Sequence, residues 1–493
     1  MEIDRSDAVT REKFGVFDRV RTLPGKAKDK VVKFGKRVEK LGKDDPRRVI
    51  HSLKVGLALS LVSLIYYWRP LYDGFGISGI WAVLTVVVVF EFRVGATLGK
   101  GLNRGLATLL AGALGVGALH LSNLFENEGK PIVLAILVFL LAATATFTRF
   151  FPTIKARYDY GVMVFILTFS MISVSGYRVE KLLEMAHQRL STILIGGATC
   201  IFVSIFVCPV WAGQDLHNLI ASNIDKLANY LEGFGSEYFQ VSKDGDCIEA
   251  SENDKSFRKG YKTVLNTKST EESLANFAKW EPGHGRFLFR HPWKQYLNIG
   301  ALVRQCAYHI EALNSHFTND IETSAEFMRV IQESCAQMSS ESGKALKSLA
   351  TSVRAMKHDP ESAKEHVEKS KTAVKDLKTA LKAAALEDSD LLSIMSAATV
   401  ASILVEIVDC VENISKSVHE LSQMARFKKV EDIASPETKQ QMLLHRGSVK
   451  PVLDCDQTPD RDHVIITIRD MFNMDDSLEN LRPQDSKKPR EEE

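Results

Sequence analysis

Six apolar stretches between residues 50 and 211 constrain the fold of this chain more than any other feature. A helix needs about 20 apolar residues to cross a hydrocarbon core about 30 Å thick. In lipid, only helices and closed barrels satisfy every backbone polar group. No apolar run of that kind occurs in the first forty residues, so no signal peptide is predicted. The predicted spans are 50–68, 75–92, 102–121, 131–149, 160–177 and 189–211.

The 493 residues fall into two unlike halves, although the mean hydropathy of -0.06 is close to zero. After the spans the sequence is charged and places its apolar residues at helical spacing, without strand alternation. We therefore predict an all-α membrane protein, with six transmembrane helices followed by a cytosolic helical domain. The predicted organisation is a basic cytosolic segment (1–49), a channel domain (50–211), a cytosolic domain (212–430) and a largely disordered tail (431–493).

One run in the second half resembles a seventh span. Residues 391–405, "LLSIMSAATVASILV", are apolar, but Glu406 and Asp409 interrupt the run before it reaches membrane length. We therefore predict a buried helix of the soluble domain there. The predicted helices of this half are 215–235, 256–280, 293–317, 321–357, 360–386 and 388–426, with a polar linker at 242–256.

Positive charge sets the expected orientation, because Lys and Arg are enriched on the cytosolic side of membrane proteins. Fifteen Lys or Arg residues precede Val49. The same side would also hold Arg93, Lys100, Arg104, Arg149, Lys155 and Arg157. The opposite connections hold Arg69, Lys130, Arg178, Lys181 and Arg189. Both termini are therefore expected in the cytosol.

Charge and cysteine content restrict the partners. The basic N-terminal run suits a nucleic acid or an anionic membrane surface, but the net charge of only +2 implies no bulk attraction to nucleic acid. We therefore expect the lipid bilayer as a partner. The seven cysteines form no CxxC pair and have no histidine at ligand spacing, so neither a disulfide framework nor a zinc site is predicted.

The motif "GATLGKG", which begins at Gly95, resembles the start of a phosphate-binding loop. That loop needs four residues between its glycines and a hydroxyl residue after the lysine. Here three residues separate Gly95 from Gly99, and Gly101 follows Lys100. We interpret the glycines, with Gly105, as GxxxG contacts between closely packed helices.

Cations inside and beside the spans predict an anion path. If the helix of the third span begins near Gly95, one face carries Thr97, Lys100, Gly101, Arg104, Thr108, Ala111 and Gly115. Arg149 ends the fourth span, shortly before Lys155 and Arg157. Rings of Arg or Lys line anion pores, and a guanidinium fork suits a carboxylate. The alternative is that these residues are anchors at the headgroups. Glu91 is expected to pair with Arg93.

The opposite connections carry carboxylates. Asp73 lies in "RPLYDGFG", and the spacing of Glu180, Glu184 and His187 puts them on one helical face. Such oxygen clusters suit small, hard, highly charged cations, and His187 would titrate in mildly acid surroundings. Ordinary solvated loop residues are the alternative.

A loop at 277–293, "FAKWEPGHGRFLFRHPW", separates two predicted helices. Its glycines, prolines and aromatic residues indicate a loop held by packing, in which Glu281 either pairs with Arg286 or caps a helix. His284 and His291 lack a third ligand at metal-binding spacing, which favours a structural role. The functional alternative is a hinge that transmits the state of this domain to the membrane.

Three segments resemble the plant aluminium-activated malate transporter family: "WAVLTVVVVFEFRVGATLGKGLNRGLAT", "PTIKARYDYGVMVFILTFSMISVSGYR" and "WEPGHGRF". The resemblance extends over about residues 45–430. It implies a homodimeric anion channel of the plasma membrane, or alternatively of the vacuolar membrane, that releases malate and other anions. It implies no enzyme activity and no prosthetic group, and it implies activation by extracellular aluminium.

The resemblance also implies roles for named residues. Basic residues would line the pore, and the candidates for malate contact are Arg104, Arg149, Lys100 and Arg93. The candidates for aluminium sensing are Asp73, Glu180, Glu184 and His187. Trp280, Glu281 and Pro282 match a motif of the family's cytosolic domain.

Two other functions remain open. A proton-coupled organic-anion efflux carrier would need a carboxylate near the membrane interior, for which Glu91 and Asp159 are the candidates. A membrane scaffold would use the cations as anchors and the cytosolic helices as a docking surface.

Overall fold

The computed structural model describes residues 25–67, 79–125, 128–176, 182–240, 257–318, 325–358, 360–384 and 391–429. These residues lie within one compact unit, Met1–Ala434. Almost all of them are helical, which confirms the prediction of an all-α protein. The predicted linker at 242–256 and the predicted tail lie outside the described residues.

Most of the helices in the first half of the chain are apolar. Within the described residues, three stretches are long and apolar enough to cross a membrane: Val94–Ser122, Lys130–Thr148 and the part of the last helix at His187–Phe206. The six-span arrangement therefore stays a prediction. The helices are α1 (Gly25–Asp44), α2 (Pro46–Tyr67), α3 (Ile80–Val89), α4 (Val94–Ser122), α5 (Lys130–Thr148), α6 (Pro152–Arg157), α7 (Asp159–Gly176) and α8 (Leu182–Phe206).

Two apolar clusters hold these helices together. One joins α2, α3 and α8 through residues such as Ala58, Val86 and Cys200. The other joins α4, α5 and α7 through residues such as Ala111 and Phe169. Helices α4 and α8 also contact each other and so connect the two clusters. Large apolar side chains such as Phe139, Val174 and Phe202 are more than half exposed, which fits a surface surrounded by lipid.

Asp45 marks the boundary between the basic helix α1 and the apolar helix α2. The backbone N–H of Arg47 donates to the Asp45 Oδ1 atom over 3.2 Å, and Pro46 is the first residue of α2. A carboxylate before a first-turn proline is a favourable helix start. Helix α1 carries eight Lys or Arg residues against three acidic residues, and Phe34 on this helix is 68% exposed.

The second half is a helical assembly with its own core. Helix α9 packs against α14 and α13 against α16, and tyrosines such as Tyr230, Tyr261 and Tyr296 are fully buried among them. Its helices are α9 (Ala212–Gln240), α10 (Phe257–Gly260), α11 (Lys262–Leu265), α12 (Lys268–Ala278), α13 (Trp293–Thr318), α14 (Ala325–Ala355), α15 (Pro360–Ala384) and α16 (Leu391–Met424).

The apolar run at 391–405 belongs to this core. Ala397, Val400, Ala401 and Leu404 on α16 are at most 1% exposed and pack in the same cluster as α9 and α13. The prediction of a buried helix is therefore confirmed. A short parallel pair, which the sequence pattern did not predict, joins β1 (Lys357–His358) to β2 (Lys428–Lys429).

Glycine at position 196 sets the approach of α8 to α3. A Cβ atom there would lie 2.6 Å from the Ala82 carbonyl oxygen, whereas a Cβ atom on Gly197 would meet nothing within 4 Å. We expect Gly196→Ala to destabilise the protein by about 1–3 kcal/mol through overpacking. Gly197→Ala is the matched control and should be neutral or stabilising, because Ala favours helices more than Gly. Thermal unfolding of the purified protein measures both, and equal midpoints would contradict this packing.

Candidate functional site

Helix α4 carries the predicted cationic face and begins where the cation spacing placed it. Its first residue is Val94, so the predicted extension of the third span back to Gly95 is confirmed. On the predicted face Thr97, Arg104, Thr108, Ala111 and Gly115 are buried, and Lys100 and Gly101 are half-buried. The face therefore points into the protein, which is where costly charges in a membrane protein normally lie.

Arg104 is the most buried of the predicted anion contacts, with an exposed fraction of 5%. Its Nη1 atom donates to the Tyr160 hydroxyl of α7 over 2.9 Å. Its Nε–H is buried and has no hydrogen-bond partner in the described part of the chain. Among those residues no carboxylate pairs with it, so the guanidinium retains a donor and its full charge for an anion.

Arg189 on α8 is a second buried guanidinium, which the sequence placed in an outer connection. It is 4% exposed, and its Cζ atom lies 4.0 Å from the centre of the Trp81 ring. Its Nη1 atom contacts the Met171 sulfur, and within the described ranges its Nε–H has no partner. Arg104 is close enough for the two charges to repel each other. Two buried guanidinium groups that have no carboxylate partner among the described residues favour an anionic ligand.

Sequence reasoning missed Arg189 because the sixth span was predicted to begin at that residue. The helix begins at Leu182, two turns earlier. The sequence around Arg189 contains apolar residues that could have indicated a longer span: Leu182, Leu183, Met185 and Leu190. The expectation that Arg189 lies in a connection is therefore wrong.

Lys100 and Arg93 are both paired with carboxylates, but not in the expected way. Lys100 pairs with Glu91, and its Nζ atom lies 5.8 Å from the centre of the Tyr160 ring. Arg93 donates from Nε to Asp215 Oδ2 on α9 over 3.0 Å. The expected Glu91–Arg93 pair is therefore wrong, because Glu91 reaches across the turn to α4 while Arg93 reaches the second half of the chain.

Arg149 forms a two-pronged pair with Asp159. Its Nε atom lies 2.7 Å from Asp159 Oδ1 and its Nη2 atom 3.2 Å from Oδ2. This pair connects the end of α5 to the start of α7, and Lys155 and Arg157 between them are exposed on α6. Arg149 is thus held by a carboxylate of its own chain, whereas Arg104 is not paired with one among the described residues.

The first glycines of "GATLGKG" contact the second half of the chain. A Cβ atom on Gly95 would collide with the carbonyl of Phe277, which lies in the last turn of α12, so the predicted contact between helices is confirmed there. A Cβ atom on Gly99 would lie 3.1 Å from the ring of Trp280, which follows α12 in the loop and not in a helix. The predicted helix contact also holds for Gly101, whose Cβ position is 3.6 Å from Val89 of α3. Glycine therefore lets the loop at 277–293 pack directly on the first turns of α4.

Glu281 in that loop caps two helices at once. Its Oε1 atom accepts from the Ala212 N–H over 2.6 Å and its Oε2 atom from the Gly213 N–H over 3.0 Å, at the start of α9. The Gly95 N–H at the start of α4 also hydrogen-bonds to this carboxylate. Of the two predicted alternatives for Glu281, the cap is thus confirmed and the pair with Arg286 is wrong.

The cap explains why a carboxylate is tolerated at a site only 6% exposed. Burial raises the pKa of Glu281, and the backbone N–H groups at the two helix starts oppose that rise. The N-terminal end of a helix also carries a partial positive charge that favours an anion. Trp280 is half-buried against Gly99, and Pro282 is exposed.

His291 and His284 lie in an aromatic cluster, beside His217. The Tyr296 hydroxyl lies 2.9 Å from His217 Nδ1 and 3.3 Å from His291 Nε2, and the His284 ring stacks on Trp211 with centroids 3.8 Å apart. Burial lowers the pKa of His291 to about 4 and also lowers that of His217. No group of three or more metal-ligating side chains occurs among the described residues.

The four predicted aluminium-sensing residues are only partly described. Asp73 and Glu180 lie outside the described residues. Glu184 is on helix α8, and the described helix continues to His187, whose side chain is exposed. Their predicted convergence therefore stays a prediction.

Comparison with known proteins gives one consistent result. Residues 39–389 match the family model of the aluminium activated malate transporters. The chain is 52% identical over 441 residues to aluminum-activated malate transporter 2 of Arabidopsis thaliana, covering 90% of this chain and 85% of that protein. It is 46% identical over 408 residues to aluminum-activated malate transporter 1 of Triticum aestivum, covering 81% of this chain and 87% of that protein.

We expect Glu281→Gln to destabilise the protein by about 1–3 kcal/mol, because an amide places an N–H group where the carboxylate accepts from buried backbone donors. Glu272→Gln, at an exposed position on α12, is the matched control and should change the free energy of unfolding by less than about 0.5 kcal/mol. Thermal unfolding of both purified variants measures the difference. Equal stability of the two would show that the cap is unimportant.

Proposed function

The chain belongs to the aluminium-activated malate transporter family, and from this premise we propose that it is an anion channel through which malate crosses the membrane. Membership confirms the resemblance seen in the sequence. The family consists of transporters, which agrees with the expectation that the chain is not an enzyme. Malate carries two carboxylates, and its proposed path runs along the buried face of α4.

The observation that carries this proposal is the pair of buried guanidinium groups, Arg104 and Arg189. Each has an Nε–H that no described residue accepts from, and a guanidinium binds the two oxygens of a carboxylate in a fork. Burying such charges without a carboxylate costs free energy, and an anion passing between them would offset that cost. Lys100, one turn before Arg104, is paired with Glu91 and is proposed as the point where malate first meets the face, in competition with that carboxylate.

Arg149 and Arg93 have secondary roles in this proposal. Both form ion pairs, with Asp159 and Asp215, so a passing malate would compete with a carboxylate of the chain itself. We therefore propose that they attract anions to the entrance and do not bind malate tightly. An inside-negative membrane potential favours anion exit by about 2.3 kcal/mol per charge per 100 mV.

The setting of the channel is also a proposal. We place both termini in the cytosol of a plasma-membrane homodimer, with the vacuolar membrane as the alternative. Helix α1 supports this orientation, since a basic amphipathic helix before the first span suits the anionic cytosolic leaflet. Extracellular aluminium is proposed as an activating ion at Asp73, Glu180, Glu184 and His187.

A proton-coupled carrier is less well supported by the contacts. Its candidate carboxylates, Glu91 and Asp159, are both held in ion pairs, with Lys100 and Arg149. Carboxylates held in such ion pairs have structural roles and are less suited to carrying a proton. Currents whose reversal potential follows the malate gradient and ignores the pH gradient would support the channel, and the opposite dependence would support the carrier. A scaffold would produce no malate flux from purified protein in liposomes.

We expect Arg104→Gln to lower malate flux about tenfold or more, because a charged hydrogen bond contributes about 1.5–3 kcal/mol. Arg104→Lys keeps the charge without the fork and should fall between this variant and the wild type. Lys130→Gln, at the start of α5, is the control for loss of one positive charge elsewhere. Flux from liposomes, divided by the amount of incorporated protein, measures all three. Unchanged flux in Arg104→Gln would exclude its pore role.

We expect Asp73→Asn and Glu184→Gln to weaken activation by aluminium and leave the flux without aluminium unchanged, because a trivalent cation needs anionic oxygen ligands. Glu128→Gln removes an acidic residue from a different predicted outer connection and should preserve activation. Dose–response curves for aluminium in the same liposomes separate the variants. An equal loss of basal flux would indicate misfolding, and intact activation would refute the assignment.

A further inference from the structure

A cavity of about 430 Å³ opens beside the Glu281 cap. We call it the junction pocket and define it by six of its lining residues. Its wall includes the aromatic side chains of Phe287, His291 and Trp293, and its charged lining residues are Lys279, Arg290 and Lys294. Its volume lies in the range of pockets that enclose small ligands, and rings with a few polar groups are typical linings of such sites.

The cations of the junction pocket are exposed side chains without an acidic partner in the described part of the chain. Among the described residues, Lys279, Arg290 and Lys294 form no ion pair, and Lys279 experiences the positive charges of Arg157 and Lys294. Burial and those charges together lower the pKa of Lys279.

Some lysines elsewhere in the second half of the chain are paired with acids. Lys344, Lys347 and Lys371 lie within 3.0 Å of Glu341, Glu232 and Glu412. Others, such as Lys262 and Lys268, form no ion pair with a described residue, so the junction pocket is distinguished by having three such cations in the lining of one cavity.

The one acidic side chain among the described lining residues, Glu281, balances only one of these three cations. Its carboxylate oxygens are also occupied by the backbone N–H groups of Ala212 and Gly213, so it forms no ion pair with the lining cations. The pocket thus combines aromatic walls with an excess of positive charge, a combination that favours an anion attached to a ring.

His291 provides a second, independent indication of a ligand. It is 5% exposed, its Nε2 atom faces the Tyr296 hydroxyl, and its Nδ1 atom is buried without a hydrogen-bond partner within the described ranges. Because its pKa is lowered to about 4, the ring is neutral near neutral pH. A buried nitrogen left unpaired costs free energy, and a polar group on a ligand can satisfy it.

We propose that the junction pocket binds a small aromatic anion, with the ring against Phe287, His291 and Trp293 and a phosphate or carboxylate group between Lys279, Arg290 and Lys294. Ring stacking and charge-assisted hydrogen bonds supply the two parts of the recognition. This site is separate from the malate path and does not depend on it. It adjoins Trp280, which packs on α4, so a bound anion would brace the segment that holds the start of that helix.

The test uses the full-length protein in nanodiscs of phosphatidylcholine, with methylumbelliferyl phosphate as the probe and isothermal titration calorimetry as the measurement. Lys279→Gln combined with Lys294→Gln should weaken probe binding about tenfold or more. The matched control is Lys262→Gln combined with Lys268→Gln, which removes the same charge from exposed positions on α11 and α12 and should preserve the Kd within about twofold. Equal Kd values for the two double variants would overturn the proposal.

Arg290→Gly gives an independent variant that preserves the backbone. Arg290 has a φ of 62°, a left-handed conformation that glycine adopts without strain, so loss of binding there cannot be attributed to a distorted loop. This variant should also weaken the probe, and an unchanged Kd would count against the pocket. A thermal unfolding midpoint equal to that of the wild type confirms that each variant is folded.

Two ligand controls separate this proposal from simpler binding. Methylumbelliferone supplies only the ring, so it should bind at least about tenfold more weakly than its phosphate. Inorganic phosphate supplies only the anion, so it should displace the probe poorly. Tight binding of methylumbelliferone would reduce the site to an apolar pocket. Efficient displacement by inorganic phosphate would reduce it to a charged surface. Either result would overturn the proposal.

Discussion

The carboxylate of Glu281 is the contact on which the junction between the two halves depends. It accepts hydrogen bonds from the first residues of α9 and from the Gly95 N–H of α4. Next to it the Val94 N–H donates to the Val210 carbonyl over 3.0 Å, so the start of α4 is satisfied by partners from outside that helix. Both helices therefore begin at one fixed point, and the position of α4 in the membrane half is tied to the loop of the helical half.

This junction gives α4 two different surfaces along its length. The first turns carry Gly95 and Gly99 because Phe277 at the end of α12 and Trp280 in the following loop pack on them. Arg104 lies on a different side of the helix, which faces Tyr160 of α7. Arg93 and Arg47 both pair with Asp215 of α9, so the charges nearest the junction hold the halves together. On α4 itself Lys100 pairs with Glu91, whereas Arg104 has no carboxylate partner among the described residues. Arg104 is therefore more available to an anion than Arg93 or Lys100.

Local patterns predicted much of the fold and part of the candidate site, and the errors have physical causes. The three- and four-residue spacing of cations located the start of α4, and the charge of Glu406 directly after residues 391–405 correctly indicated a soluble core helix. The GxxxG spacing around Gly95 correctly indicated a close approach, but spacing cannot identify the end of α12 and the following loop, about 180 residues away, as the partner. Arg189 was missed because its charge was taken to mark the first residue of the sixth span, whereas the helix begins two turns earlier.

The wrong partner for Glu91 has a similar cause. Adjacency in sequence suggested Arg93, but both residues lie in the non-helical turn between α3 and α4, and the side chain of Arg93 reaches Asp215 instead. Glu91 meets Lys100 only because the chain turns between α3 and α4. Sequence spacing does not encode contacts of this kind, which depend on the path of a turn or on the position of a distant loop.

The capping of α4 by Glu281 has a consequence for the order of biosynthesis. Gly95 is translated about 190 residues before its capping partner, which at about 5–20 residues per second is a delay of roughly 10–40 s. Throughout that interval the nascent membrane helices exist without the group that fixes the start of α4. The membrane half therefore reaches its final form only after the ribosome has made the loop of the helical half, and any pause before that loop prolongs an unfinished state in the bilayer.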